Sequence, residues 1–160
     1  MAESTDGTDK TMLDPLFIHL TKKLREIARA FNKYSKFLQE NHQITIPQVV
    51  CLREVHEHGP ITLSALTNIV ALNNSTVTGI VDRLEKQKLL VRTRTSAERR
   101  QIHLEMTEKG VEFLTTSPPP VPERLINGIT RLSQADVDRI VWAVDQLAEL
   151  LREADLDGLD

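Results

Sequence analysis

The sequence predicts a mainly α-helical protein with one small β-hairpin. Apolar residues recur at spacings of three and four over most of the 160 residues, the period of helices with one buried stripe. Aromatics make up only 4%, and Gly and Pro are not enriched, which disfavours a β-sandwich. A single stretch, near residues 89–106, alternates with the period of strands.

Residues 1–10 are expected to form a disordered tail. They lack the basic-then-apolar layout of a signal peptide. Asp14-Pro15 predicts a helix start, with Asp14 as cap and Pro15 in the first helical position. Leu16, Leu20, Leu24, Ile27, Phe31, Tyr34 and Leu38 then fall on one stripe, and Lys23, Arg25, Glu26, Arg29 and Lys33 fill the other faces. A stripe that long exceeds what a small module can cover, so residues 11–44 are expected to be a dimerisation helix.

Thr45-Ile46-Pro47-Gln48 reads as a capping box. Its helix carries Val49, Leu52 and Val55 and is expected to end with Gly59 in the left-handed conformation, before Pro60. Thr62 caps the next helix, with Leu63, Leu66, Ile69 and Val70 inward. Asn73, Asn74 and Ser75 offer three N-caps for the helix that follows. There Val77, Ile80, Val81 and Leu84 make a core face, at i, i+3, i+4 and i+7. The opposite face holds Ser75, Gly79, Asp82 and Lys86, flanked by Thr76, Thr78 and Arg83. A glycine in a helix interior costs about 1 kcal/mol against alanine, so Gly79 suggests a face that something must approach closely.

Leu89–Thr95 and Gln101–Met106 are expected strands, with Ile102, Leu104 and Met106 inward and a tip over 96–100. Thr107 caps another helix. The run Ser117-Pro118-Pro119-Pro120-Val121-Pro122 must be extended and stiff. Glu123–Leu132 reads as a short helix, and Ser133-Gln134-Ala135-Asp136 as a second capping box. Val137, Ile140, Val144, Leu147 and Leu151 then form a coiled-coil-like seam. The expected organisation is a DNA-binding lobe over 45–106, C-terminal dimerisation helices over 107–154 with a break at 117–122, and an acidic tail over 155–160.

The charge is uneven. From Thr62 to Met106 seven basic side chains stand against four acidic ones, in a chain of net charge −3. A basic module on an acidic frame is a local footprint for a polyanion. Helix, turn, helix and a basic hairpin together describe a winged helix-turn-helix fold, which reads duplex DNA. The expected DNA-binding residues are Asn73, Asn74, Ser75, Thr76, Thr78, Gly79, Arg83, Arg92, Arg94 and Arg99.

No apolar run approaches the roughly 18 residues of a membrane span, and a single cysteine excludes an internal disulfide framework. A cytoplasmic protein is expected. No phosphate loop, nucleophile elbow or nucleophile–base pairing points to an enzyme. His56 and His58 lie two apart, on different helix faces, and no zinc spacing occurs, so neither metal nor cofactor is expected. Cys51 sits among Val49, Val50 and Leu52 and reads as a buried, inert thiol. Two alternatives stand beside the DNA-binding regulator. One is a winged-helix protein-interaction module without DNA binding, the other a metal- or redox-responsive regulator.

The stretches Ile61–Leu66, Asn74–Glu85 and Glu98–Gly110, in this order and spacing, resemble the MarR family of transcriptional regulators. The resemblance runs from about Leu16 to Leu151. In the family pattern an Asp-x-Arg in the wing precedes Leu-Thr-x-x-Gly; here Glu98, Arg100 and Met106-Thr107-Glu108-Lys109-Gly110 stand at those places. The resemblance implies a homodimer with helical termini at its interface, two winged modules on a palindromic operator, and repression relieved by a small aromatic or phenolic acid. It places that effector near Phe31, Tyr34 or His56. It implies that Arg99 enters the minor groove while Arg100 pairs with Glu98 to hold the tip. Some relatives sense oxidants through a cysteine in the first helix, where this chain has none. Three positions depart from the pattern: Lys88 replaces a frequent Gly, Glu98 replaces Asp, and the proline run interrupts a usually continuous helix.

Overall fold

The computed structural model describes residues 10–94 and 101–153. The chain divides into two compact units, Met1–Val121 and Pro122–Asp160.

The first unit contains α1 (Lys10–His42), α2 (Ile46–His58), β1 (Ile61–Thr62), α3 (Leu63–Val70), α4 (Asn74–Lys86), β2 (Leu90–Arg94), β3 (Ile102–Met106) and α5 (Glu108–Thr116). α1 starts five residues before Pro15 and runs through it. The expected start at Asp14-Pro15 is therefore corrected: the proline removes one i−4 hydrogen bond in the second turn, and the helix continues. The α1 stripe is used unevenly. Leu38 is fully buried and Tyr34 packs against the core, whereas Leu16, Ile27 and Phe31 remain exposed. Only the C-terminal end of α1 joins the core of its own unit.

That core is made by Leu38 and Ile44, by Val49, Cys51, Leu52 and Val55 of α2, and by Leu66 of α3. α4 adds Val77, Ile80, Val81 and Leu84, and the sheet adds Leu90 and Leu104. The i, i+3, i+4, i+7 set of α4 is thus wholly buried, which fixes the rotation of the helix and turns Gly79 outward. At the start of α2 the Thr45 amide and hydroxyl donate to Gln48 Oε1 at 2.8 and 3.1 Å, which lets a glutamine be buried. Gly59 does not take the expected left-handed conformation. It is extended (φ −69°, ψ 149°), and glycine serves a different need, since a Cβ would lie 2.4 Å from the Val55 carbonyl oxygen. In α3, Ile69 is exposed rather than inward.

The sheet is antiparallel in the order β1-β3-β2, with Ile61 opposite Leu104 and Arg92 opposite Leu104 on the other side. β1 has only two residues, too few for an alternation to show. Of the expected inward residues of β3, Leu104 is fully buried and Ile102, beside the tip, is exposed.

α4 ends in a Schellman motif. The Leu89 amide donates to the Leu84 carbonyl at 3.0 Å and the Lys88 amide to the Glu85 carbonyl at 2.9 Å. Lys88 occupies the left-handed position, at φ 60°. The start of α5 closes the same corner. The Thr107 hydroxyl donates to Lys88 O at 2.6 Å, the Thr107 amide to Leu89 O at 3.2 Å, and Lys109 Nζ to Gln87 O at 2.8 Å. Gly110 is required at this corner, since a Cβ there would fall 1.9 Å from Leu89 O. α5 packs on α2 and β3, within the first unit. Beyond it the Tyr34 hydroxyl donates to the Pro119 carbonyl at 2.8 Å, holding the proline run to α1.

The second unit holds α6 (Glu123–Ile129) and α7 (Gln134–Glu153). α6 stops three residues short of the expected Leu132. Ser133 caps α7 with its side chain: the Asp136 amide donates to Ser133 Oγ at 3.2 Å, and that hydroxyl donates to Asp136 Oδ2 at 2.7 Å, in place of the backbone bond that would complete the expected box. Ile140, Val141, Trp142, Val144, Leu150 and Leu151 of α7 are exposed. No helix among the described residues is long and apolar enough to cross a membrane.

Candidate nucleic-acid interface

The outward face of α4 is built from its first turn. Asn73 is the N-cap, and its Oδ1 accepts the Thr76 amide at 2.8 Å and the Ser75 hydroxyl at 2.9 Å. The cap satisfies the third amide of the helix. The Asn74 and Ser75 amides have no i−4 carbonyl to bond and lie at the positive end of the helix dipole. An N-terminus in this state suits a phosphate. Asn74 braces the turn from the other side: the Thr67 hydroxyl is shared between Leu63 O at 2.8 Å and Asn74 Oδ1 at 3.1 Å. The side-chain oxygens of Asn73 and Asn74 therefore hold the turn.

Ser75 and Thr76 are exposed, and Thr78 is half-buried with its hydroxyl donating to Asn74 O at 2.7 Å. Nothing lies within 4 Å of a Cβ built on Gly79. The glycine thus leaves open space on the face opposite the core, and no packing inside the protein requires it. Arg83 and Lys86 are exposed on the later turns. The structure places Ser75, Gly79 and Arg83 along one outward strip of α4, with the exposed Thr76 on its flank, the half-buried Thr78 on the other side, and Asn73 and Asn74 at the first turn.

The wing supplies two more of the expected residues, and they differ. Arg94 is exposed at the end of β2. Arg92 is engaged inside the protein, its Nη2 donating to Asp82 Oδ1 at 2.7 Å and its Nη1 to Glu85 Oε2. The Asp82 hydrogen bond, with the Glu85 charge, pushes the Arg92 guanidinium above its ordinary value. The pairing was hidden in the sequence because it joins residues ten and seven apart across a helix end and a strand. The tip residues Glu98, Arg99 and Arg100 lie outside the described residues.

The three expected effector-site residues are not gathered in one cavity among the described residues. Phe31 is exposed on α1, and Tyr34 is tied to Pro119. His56 is exposed beside a shallow groove of about 220 Å³ that Arg53, Val111 and Leu114 also line. Cys51 is fully buried, and burial pushes its thiol up to about 11. No group of three or more His, Cys, Asp or Glu among the described residues could hold a metal ion.

The MarR family model matches residues 44–102, the span that holds α2, α3, α4 and β2. The HTH-type transcriptional repressor MdtR of Bacillus subtilis is 32% identical over 113 residues, covering 69% of this chain and 73% of MdtR. The chain belongs to the MarR family. The transcriptional repressor MprA of Escherichia coli (strain K12) is 28% identical over 148 residues, 92% of this chain and 81% of MprA. The fold matches that of MepR from S. aureus in its DNA complex, with a TM-score of 0.68 over 82% of this chain and 97% of MepR at 17% identity. Membership in the MarR family makes the chain a DNA-binding transcriptional regulator with a winged helix-turn-helix.

Proposed function

We propose that this chain is a ligand-responsive repressor that binds a palindromic operator as a homodimer. The observation that carries the DNA-reading role is the α4 face: a capped N-terminus, an open glycine, and an exposed Arg83 one turn on. In this reading Ser75 and the first amides of α4 hold a phosphate, with Asn73 and Asn74 fixing their geometry. Thr76, Thr78 and Arg83 reach base edges or the backbone in the major groove. Arg94 and Arg99 follow the wing to the minor groove, and Arg100 with Glu98 shapes the tip.

The dimer is supported by the apolar side chains that α1 and α7 leave in solvent, among them Ile18 at 70% and Trp142 at 66% exposed. Large apolar side chains left exposed along a helix mark an interface. A second copy would cover it, and two-fold symmetry would then place two modules on half-sites about one helical turn, roughly 34 Å, apart. Residues 11–44 and 107–154 are the proposed dimerisation segments around the lobe at 45–106. An aromatic or phenolic acid is the proposed effector, bound near Phe31, Tyr34 or His56, and it must favour the free form over the DNA-bound form to act. The chain's role is binding in the cytoplasm and not catalysis.

The test is a fluorescence titration of duplexes selected from a random pool, repeated across salt concentrations. The expected result is a palindromic consensus bound by a dimer, with affinity falling steeply as salt rises. Selection that yields no consensus, or a folded monomer at micromolar concentration, contradicts the proposal.

A further inference from the structure

A surface that approaches phosphates should not carry bare carboxylates, yet α4 carries two. Asp82 and Glu85 are three residues apart and therefore neighbours on the helix surface. Both are met by one side chain from the wing, with Arg92 Nη2 on Asp82 and Nη1 on Glu85. β2 alternates, so Arg92 shares its face with Leu90, which is buried, and that strand packs on α4. Arg92 thus points back at the recognition helix, while Arg94, two residues on, is exposed at the strand end.

We infer that Arg92 is a positioning residue for DNA binding: it clamps the wing to α4 through Asp82 and Glu85 and does not itself neutralise a phosphate. The inference rests on the DNA-reading role proposed above. A planar guanidinium can give separate nitrogens to two carboxylates; an ammonium is a point charge and cannot span them in the same way. The clamp does two things at once. It sets where the wing leaves α4, and it offsets one of the two negative charges that would otherwise face the polyanion.

The test uses the full chain and a duplex that the wild type binds. Arg92→Lys, Arg92→Gln and the triple variant Arg92→Gln/Asp82→Asn/Glu85→Gln are compared by titration across salt, with melting curves as a control. A clamp predicts that Arg92→Lys and Arg92→Gln both bind roughly tenfold more weakly, with the wild-type dependence of log Kd on log salt. It also predicts that removing the two acids in the triple variant recovers part of the loss. A phosphate contact predicts wild-type affinity for Arg92→Lys and a salt slope shallower by about one unit for Arg92→Gln; either result overturns the inference, as does wild-type affinity in all three variants. Should Arg92→Gln melt early, Arg92→Lys, which keeps charge and stem, carries the comparison. Failure of the wild type to bind any selected duplex is a separate result and sinks the DNA-reading role itself.

Discussion

Asn73 Oδ1 accepts the Thr76 amide at 2.8 Å, so the residue that opens the recognition helix holds it in shape with its side-chain oxygen. Replacing an N-cap asparagine by alanine costs about 1 kcal/mol. Asn73→Ala should lose about that much stability in urea unfolding and should also bind DNA more weakly, because the Ser75 hydroxyl loses its acceptor. Asn73→Asp, which keeps the cap, should restore the stability. Equal unfolding midpoints for wild type and Asn73→Ala would show that the cap contributes nothing.

The corner where α4 meets α5 gives two substitutions of opposite sign. Lys88 is held at φ 60°, a conformation that costs an L side chain roughly 1–2 kcal/mol. Lys88→Gly should therefore stabilise the protein, by about 1 kcal/mol once the added freedom of the unfolded chain is counted. Gly110→Ala should destabilise it by about 1–3 kcal/mol, because the new methyl meets a carbonyl oxygen. Denaturant titrations of both variants check the pair of signs.

Cys51 makes stability depend on pH in the alkaline range. Its thiol is pushed from 9.0 up to about 11 by burial first and by the Glu54 charge second. The folded state holds the proton more tightly than the unfolded state. The stabilisation is complete below pH 9 and is lost as pH rises from 9 to 11. The loss amounts to about 2–3 kcal/mol. Cys51→Ala should lack this component, so the unfolding free energy of the wild type minus that of Cys51→Ala should fall across that window only. The native thiol should resist a disulfide-exchange reagent at neutral pH and react once the protein is unfolded.

Much of this was legible in the sequence, because local chemistry decided it. The caps at Thr62, Asn73, Thr107 and Ser133 are side-chain signals read within three residues, and the buried set of α4 follows from its period. What was not legible was tertiary. The clamp from Arg92 to Asp82 and Glu85 needs the strand and the helix placed against each other. The need for glycine at Gly59 and Gly110 comes from carbonyls that a Cβ would strike, not from a left-handed turn. β1 exists only because β3 offers it a partner at Leu104 and His103. The α1 stripe looked uniform in sequence, yet only its end is buried within its own unit.

The two adjacent arginines of the tip should separate in function. Arg99→Ala should weaken operator binding by about 1–3 kcal/mol and make its salt dependence shallower by about one unit. Arg100→Ala should weaken binding by loosening the hairpin, seen as faster amide exchange from Arg94 to Ile102. A hairpin that loosens in Arg99→Ala and stays protected in Arg100→Ala would reverse the assignment.

The central claim is that the face of α4 bearing Gly79 lies against DNA. A Cβ at Gly79 has open space around it, and alanine should even stabilise the helix by about 1 kcal/mol. The direct measurement is operator affinity of Gly79→Glu, by fluorescence anisotropy, alongside its melting temperature. Gly79→Glu should melt like the wild type and no longer bind the operator. Wild-type affinity in Gly79→Glu would contradict it.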